Sequence, residues 1–250
     1  MTIFAQLLEF KWGSFSAFHI VTIALSLATP VILYYILRSR TQKTQRICLF
    51  VLSLSGMAAI CYNLLMWGSP LEYLPLHLCS INAIIMPIAI VTANKLLANL
   101  LPLFSLGALA AIILNTGQAD YVVMSWVFAF YYIPHTLEFA IPFVLLKLGI
   151  FKSDTHYILP SVGLTFGIYT FVHFVNVFIN SLGISNGTGS TISVNYMYSI
   201  SPQGIPLISQ IWNICPHEYF YMLFLVPIVA LFYVAMNLKA IVFRLKKQKT

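Results

Sequence analysis

The sequence predicts an all-α, polytopic membrane protein: one bundle of seven transmembrane helices, N-terminus outside and C-terminus cytoplasmic. Three observations predict it. Of 250 residues, 60% are hydrophobic and 8% are charged, whereas a soluble domain carries about 25% charge. Apolar stretches of the ~20 residues that a bilayer requires recur seven times. Twelve of the thirteen Lys and Arg fall on one side of those stretches, which the positive-inside rule assigns to the cytoplasm.

The spans are read at roughly 15–37, 47–67, 72–93, 96–115, 122–148, 157–181 and 214–238, within one domain covering 1–250. Loop 38–46 holds Arg38, Arg40, Lys43 and Arg46. Lys95, Lys147 and Lys152 flank later spans, and five more basic residues follow Leu238. Only Lys11 falls opposite. The net charge of +7 therefore reports topology and not nucleic-acid binding. No removable signal peptide is read, so the first span stays as an anchor. Residues 3–12 resemble a short interfacial helix. The uncharged loop 182–213 has the length of a lid or entrance loop, or of a plain linker. Asn186-Gly187-Thr188 matches a glycosylation triplet. The chain shows no internal repeat.

The four cysteines, Cys48, Cys61, Cys79 and Cys215, form no CxxC pair, which weakens metal and redox readings. Cys79 and Cys215 both fall in the outer half, and the sequence leaves a disulfide between them open. The histidines show no HExxH or HxxxH spacing, and no metal or other cofactor is expected.

In-membrane polar residues gather in the outer half: His77, Cys79 and Asn82; His135 and Glu138; His173, Asn176 and Asn180; His217 and Glu218; and His19. His135 and Glu138 lie three apart on one helix face, as do Cys79 and Asn82. Because such groups avoid lipid, they predict a polar, outward-opening cavity walled by spans three, five, six and seven. Pro134 and Pro87 free the carbonyls of Phe130 and Ala83, as broken helices beside cavities do. Taken singly, an in-membrane His is more often an interhelical hydrogen-bond partner contributing about 1 kcal/mol. A free buried Cys is more often a small hydrophobe.

The run Leu74-Pro75-Leu76-His77-Leu78-Cys79-Ser80-Ile81 changes that balance. It resembles the signature of the YwaF-type bacterial integral membrane proteins, related to the transmembrane protein 164 acyltransferases. Phe18-His19 at the start of span one, His135 in span five, Asn195-Tyr196-Met197-Tyr198 and Pro202 agree with that family in order. Before the last span the family often carries a Trp-Pro-Trp-Tyr segment. Here Cys215-Pro216-His217-Glu218-Tyr219 stands instead, so no family role passes to His217 or Glu218.

The resemblance implies a seven-helix fold with Cys79 as the acyl-accepting nucleophile and His135 as the base. A thiol of ordinary pKa, about 8.5, is mostly protonated at neutral pH, so a neighbouring imidazole must take its proton during attack. His77, Asn82, Glu138, His173, Asn176, Asn195 and Tyr196 are the candidate substrate-binding residues, with Asn82, Asn176 or freed backbone amides as candidate oxyanion donors. Counting along the spans puts Cys79 about 12 Å and His135 about 20 Å below the outer boundary, a gap that tilt and the Pro134 kink must close.

The reading is an intramembrane, cysteine-dependent acyltransferase or acyl hydrolase of the cell membrane, acting on phospholipids or other acyl lipids through a Cys-His pair. The alternative is a transporter or lipid-binding protein with an outward-facing polar cavity. No inverted repeat supports transport.

Overall fold

The computed structural model describes residues 10–67, 69–114, 118–186 and 189–247; in the last helix only the backbone is described at 236, 239–241 and 243–247. Eight α-helices run in chain order among these residues: α1 Ala17–Leu37, α2 Gln42–Met66, α3 Leu78–Thr92, α4 Lys95–Leu114, α5 Trp126–Lys147, α6 Ile158–Ser181, α7 Pro206–Ile214 and α8 Val226–Lys247. No β-strand accompanies them among the described residues; Lys11 and Val122 form an isolated bridge.

Local chemistry sets several starts. Ser16, Thr41 and Ser125 stand in extended backbone, and each side chain accepts the amide of the residue three further on. That satisfies one of the orphan donors of a helix N-terminus. Ala93, in the left-handed region at φ 50°, ends α3. Asn94 Oδ1 then accepts the amides of Leu96 and Leu97 to open α4.

Five helical segments are long and apolar enough to cross a membrane: Ala17–Leu37, Gln42–Met66, Lys95–Leu114, Trp126–Lys147 and Thr155–Ser181. Two more apolar helices are shorter. Leu78–Thr92 has 15 residues, about 22 Å of helix, against a hydrocarbon core of ~30 Å. The third span was expected from 72. The helix starts six residues later because Pro70 opens a separate 3-10 turn, Pro70–Glu72, and Pro75 lacks the N–H that a continuous helix needs. The last span was expected from 214. Here residues 215–220 are irregular, with Tyr219 at φ 65°, and a 3-10 segment, Tyr221–Leu225, leads into α8.

Two further expectations change. The segment 182–213, read as a loop, contains the 3-10 turn Tyr196–Tyr198 and the helix α7. Of the proposed interfacial segment 3–12, residues 3–9 lie outside the described residues, and Trp12 is tied to the backbone of Tyr121. Gly187 and Thr188 of the glycosylation triplet also lie outside them.

The core has two grades of packing. Helix α5 lies against α1, α2, α3 and α4, and α2 and α4 each flank α3. Helices α6 and α8 lean on α4 and share little backbone contact with each other among the described residues. A cluster of Leu37, Leu49, Ile90, Ala98, Val144 and Phe151 gathers the ends of α1–α5 that carry basic residues. Ser153 hydrogen-bonds Asn237 of α8 at the same end. The basic segments therefore share one end of the bundle. At the far end Trp12 packs with Ile112 and Phe128, and the buried His19 bonds the carbonyl of Ile112 through Nε2 at 2.7 Å. Exposed Leu65, Val91, Trp126, Phe171 and Phe174 give the outer faces the apolar character that lipid demands.

Candidate functional site

A cavity of about 880 Å³ penetrates the molecule. Its mouth at the far end is polar, with Asn63, Glu72, Tyr73, Gln118 and Tyr121. Below the mouth stand Cys79, His77, Tyr131, His135 and Glu138. The remaining wall, from α4, α6 and α8, is almost entirely apolar: Leu103, Val162, Phe166, Val226 and Val229. Helices α2 and α4, absent from the sequence-based picture of the walls, supply Gly56, Ala59, Leu103 and Gly107.

Cys79 is the second residue of α3. The late start of that helix moves the thiol from a helix interior to a helix N-terminus. There backbone amides lack intrahelical acceptors. The amides of Cys79 and Ser80 and the Ser80 hydroxyl lie against the thiol. Cys79 and Cys215 are both free, which closes the question of a disulfide.

His77 is the N-cap residue, held extended at φ −72° and ψ 153°. Its ring sits between Tyr196 and Tyr198, with centroids 5.3 and 5.9 Å away. Its Nδ1 accepts the Met197 amide at 3.3 Å. That hydrogen bond assigns the neutral ring's proton to Nε2, making it a donor. His135 carries the opposite tautomer. Its Nδ1 lies 2.6 Å from the Tyr131 carbonyl, and a carbonyl only accepts. Nδ1 therefore holds the proton, and Nε2 keeps a lone pair with no partner among the described residues. The Tyr131 ring rests on the imidazole at 4.4 Å.

Glu138 lies one turn beyond His135, buried, with Oε2 unpartnered among the described residues. Its Oε1 approaches the backbone of α2 so closely that a Cβ at Gly56 would stand 2.9 Å away. Asn82, one turn below Cys79, is fully buried, and neither its Oδ1 nor its Nδ2 finds a partner among the described residues. It does not line the cavity.

The polar residues of α6 do different work. Asn176 Nδ2 donates to the Tyr196 carbonyl and to Ser199 Oγ, both at 2.8 Å, and its Oδ1 accepts the Tyr196 amide at 3.0 Å. Asn180 clasps Val194 in the same two-way manner. His173 pairs with Ser199. Asn195 bonds Ser201 and Ile200. The Tyr196 hydroxyl donates to the Leu71 carbonyl and accepts the Leu74 amide. None of these five residues lines the cavity. Together they fasten the segment 194–201 to α6 and to the chain entering α3. That fastening holds Met197 and Tyr198, both with φ 55°, over the cavity. Such strained backbone persists only where its surroundings over-determine it. His217 and Glu218 are exposed and stand outside the cavity lining.

Sequence reasoning missed the tyrosines of the site. Tyr131 was findable as the residue one turn before His135. Tyr198 lies within the Asn195–Tyr198 run, but nothing in that run indicates which ring faces inward. No group of three or more His, Cys, Asp or Glu suited to a metal occurs among the described residues.

An all-helical chain with several apolar spans around an internal cavity defines a multi-pass membrane protein. The chain belongs to the TMEM164 family, whose family model matches residues 14–236. The comparison with curated proteins and the comparison with solved structures each found no match.

Proposed function

We propose that this protein is an intramembrane, cysteine-dependent lipid acyltransferase or acyl hydrolase, with Cys79 as nucleophile and His135 as general base. One observation carries the reading: Cys79 and His135 open on the same cavity, and the hydrogen bond from His135 Nδ1 to Tyr131 leaves Nε2 as the free base. Family membership and the apolar helices agree with a lipid substrate.

The chemistry balances within the chain. Cys79 Sγ attacks the ester carbonyl carbon, and its proton passes to His135 Nε2. The tetrahedral oxyanion takes hydrogen bonds from the Cys79 and Ser80 amides and from His77 Nε2–H. The C–O bond breaks, and the departing lipid oxygen takes the proton back from His135. An acyl thioester remains on Cys79. An acceptor hydroxyl, of a lysolipid or of water, then attacks it. His135 takes that proton and returns it to the leaving thiolate. His77 as donor and His135 as acceptor are the two opposite roles that this sequence requires.

The polar mouth admits the headgroup, and the 12-to-1 split of basic residues supports a mouth on the outer side of the membrane. In this reading the two shorter apolar helices, α3 and Tyr221–Ala235, join the five long spans as the remaining members of a seven-helix bundle.

The test is a thioester trap in the full-length protein. A phosphatidylcholine with a labelled acyl chain should leave label on Cys79 that hydroxylamine releases. Cys79→Ser should lose nearly all turnover, while Cys48→Ser and Cys61→Ser keep it. Full lipid turnover by a folded Cys79→Ser variant would remove the cysteine mechanism and favour a transport or lipid-binding role.

A further inference from the structure

The apolar half of the cavity has its own boundary. At one level the Tyr169 hydroxyl donates to the Tyr219 carbonyl at 2.7 Å, and the two rings stack at 5.1 Å. Nearer the basic end Ser161 is fully buried, and the buried Tyr233 of α8 clusters with Ile158 and Ile168 of α6 while its hydroxyl is held by the Asn99 carbonyl at 3.0 Å. From Ser161 to Tyr169 is eight residues, about 12 Å of helix.

Between these closures α6 contributes Val162, Gly163, Thr165 and Phe166 to the cavity, and α8 contributes Val226 and Val229. Phe166 and Val226, although they line the cavity, stay 46% and 42% exposed. Side chains that line a cavity and stay this accessible are not enclosed by it, and they mark the rim of an opening. This rim is apolar and lies along helices that face hydrocarbon. A Cβ placed on Gly163 would meet nothing within 4 Å. Here the helix wall is thinned to bare backbone beside open space.

We propose that the window between α6 and α8 is a lateral port through which one acyl chain of a bilayer glycerolipid enters the cavity, and that Gly163 sets how much chain it accepts. The occupant follows from the surroundings. The polar side chains here are Thr165 and Tyr169, whose hydroxyls already donate to the Ser161 and Tyr219 carbonyls, so a headgroup lodged there would lose most of its water without replacement. An acyl chain reaches the port from hydrocarbon and has nothing to desolvate. The space is continuous with the chamber of Cys79 and His135, so a lipid with its headgroup at the polar mouth and its chain at the port would lay its ester between them. The proposal rests on the acyl-transfer reading for its purpose but not for its geometry.

The experiment uses the full chain in nanodiscs with a phosphatidylcholine that carries a diazirine near the end of one acyl chain. Crosslinks should fall on the peptides holding Val162–Phe166 and Val226–Val229. Gly163→Phe, which fills the window, should lower them about tenfold. Gly167→Phe is the control: Gly167 also has open space around it but does not line the cavity, so this variant should leave the crosslinks unchanged. Equal crosslinking in Gly163→Phe and the parent, or crosslinks on lipid-facing α6 outside this window, would overturn the port. A second arm compares turnover of octanoyl and oleoyl donors. Gly163→Phe should keep the short chain and lose the long one, whereas equal loss of both would overturn Gly163 as the gauge. Should no donor turn over even in the parent protein, the acyl-transfer reading fails, and the crosslinking arm still decides the port.

Discussion

The two walls of the cavity differ in both chemistry and packing. The wall formed by α2, α3 and α5 carries Cys79, His77, His135 and Glu138, and its helices are wedged together around α5. At Gly56 an added Cβ would stand 2.5 Å from Ala83 Cβ. The wall formed by α6 and α8 is apolar, and an added Cβ at Gly163 would touch nothing. Under the proposed chemistry tight packing suits the first wall, because reacting groups must be held to within a fraction of an ångström. Loose packing suits the second because a flexible chain needs room and no fixed geometry.

The comparison breaks most readily at the reacting wall. His135→Ala should lower turnover by a factor of about 10²–10⁴, the usual contribution of a general base, as measured by lipid turnover in detergent or vesicles. A loss below about fivefold would remove His135 from that role. His77→Phe keeps a ring between Tyr196 and Tyr198 but deletes the Nε2 donor. It should lower kcat by about 10²–10³, the scale of one oxyanion donor, with little change in KM.

Packing variants sharpen the contrast. Gly56→Ala forces α2 away from Ala83 and Glu138 and should cost about 1–3 kcal/mol of stability, read as a lower midpoint of thermal unfolding in detergent. Asn176→Leu removes three hydrogen bonds to the 196–199 segment and should cost roughly 1–2 kcal/mol. The activity loss should exceed that expected from unfolding alone, because the Met197 amide would no longer be held on His77. Gly163→Ala should leave stability unchanged or raise it by a few tenths of a kcal/mol, since helical Ala is favoured over Gly and nothing opposes the methyl. A destabilisation as large as that of Gly56→Ala would erase the distinction between the walls.

The polar residues illustrate how far the sequence could be read. His135 and Glu138 were placed on one face by their spacing, and both line the cavity. Asn176 and Asn180 were placed on one face by the same rule and hold a loop instead. Periodicity identifies which residues share a face. It does not identify what lies opposite that face, because the partner segment is 14–23 residues away in the chain and irregular. Cys79 shows the same limit differently. Hydropathy runs through Leu71 and Leu74 into the helix, so a span was expected from 72. Pro75 and the 3-10 turn at Pro70 delay the helix to Leu78 and thereby put the thiol among free amides.

By itself, the sequence determined the membrane class, the all-helical architecture and the segregation of basic residues. Each follows from composition or from one-dimensional periodicity, which bilayer thickness and helix pitch translate directly into structure. Only the tertiary structure decided the tautomers of His77 and His135, the division of the cavity into a polar wall and an apolar wall, and the open space beside Gly163. Those depend on which backbone carbonyl or amide faces each ring, and on which helices approach closely. Packing between distant segments fixes both.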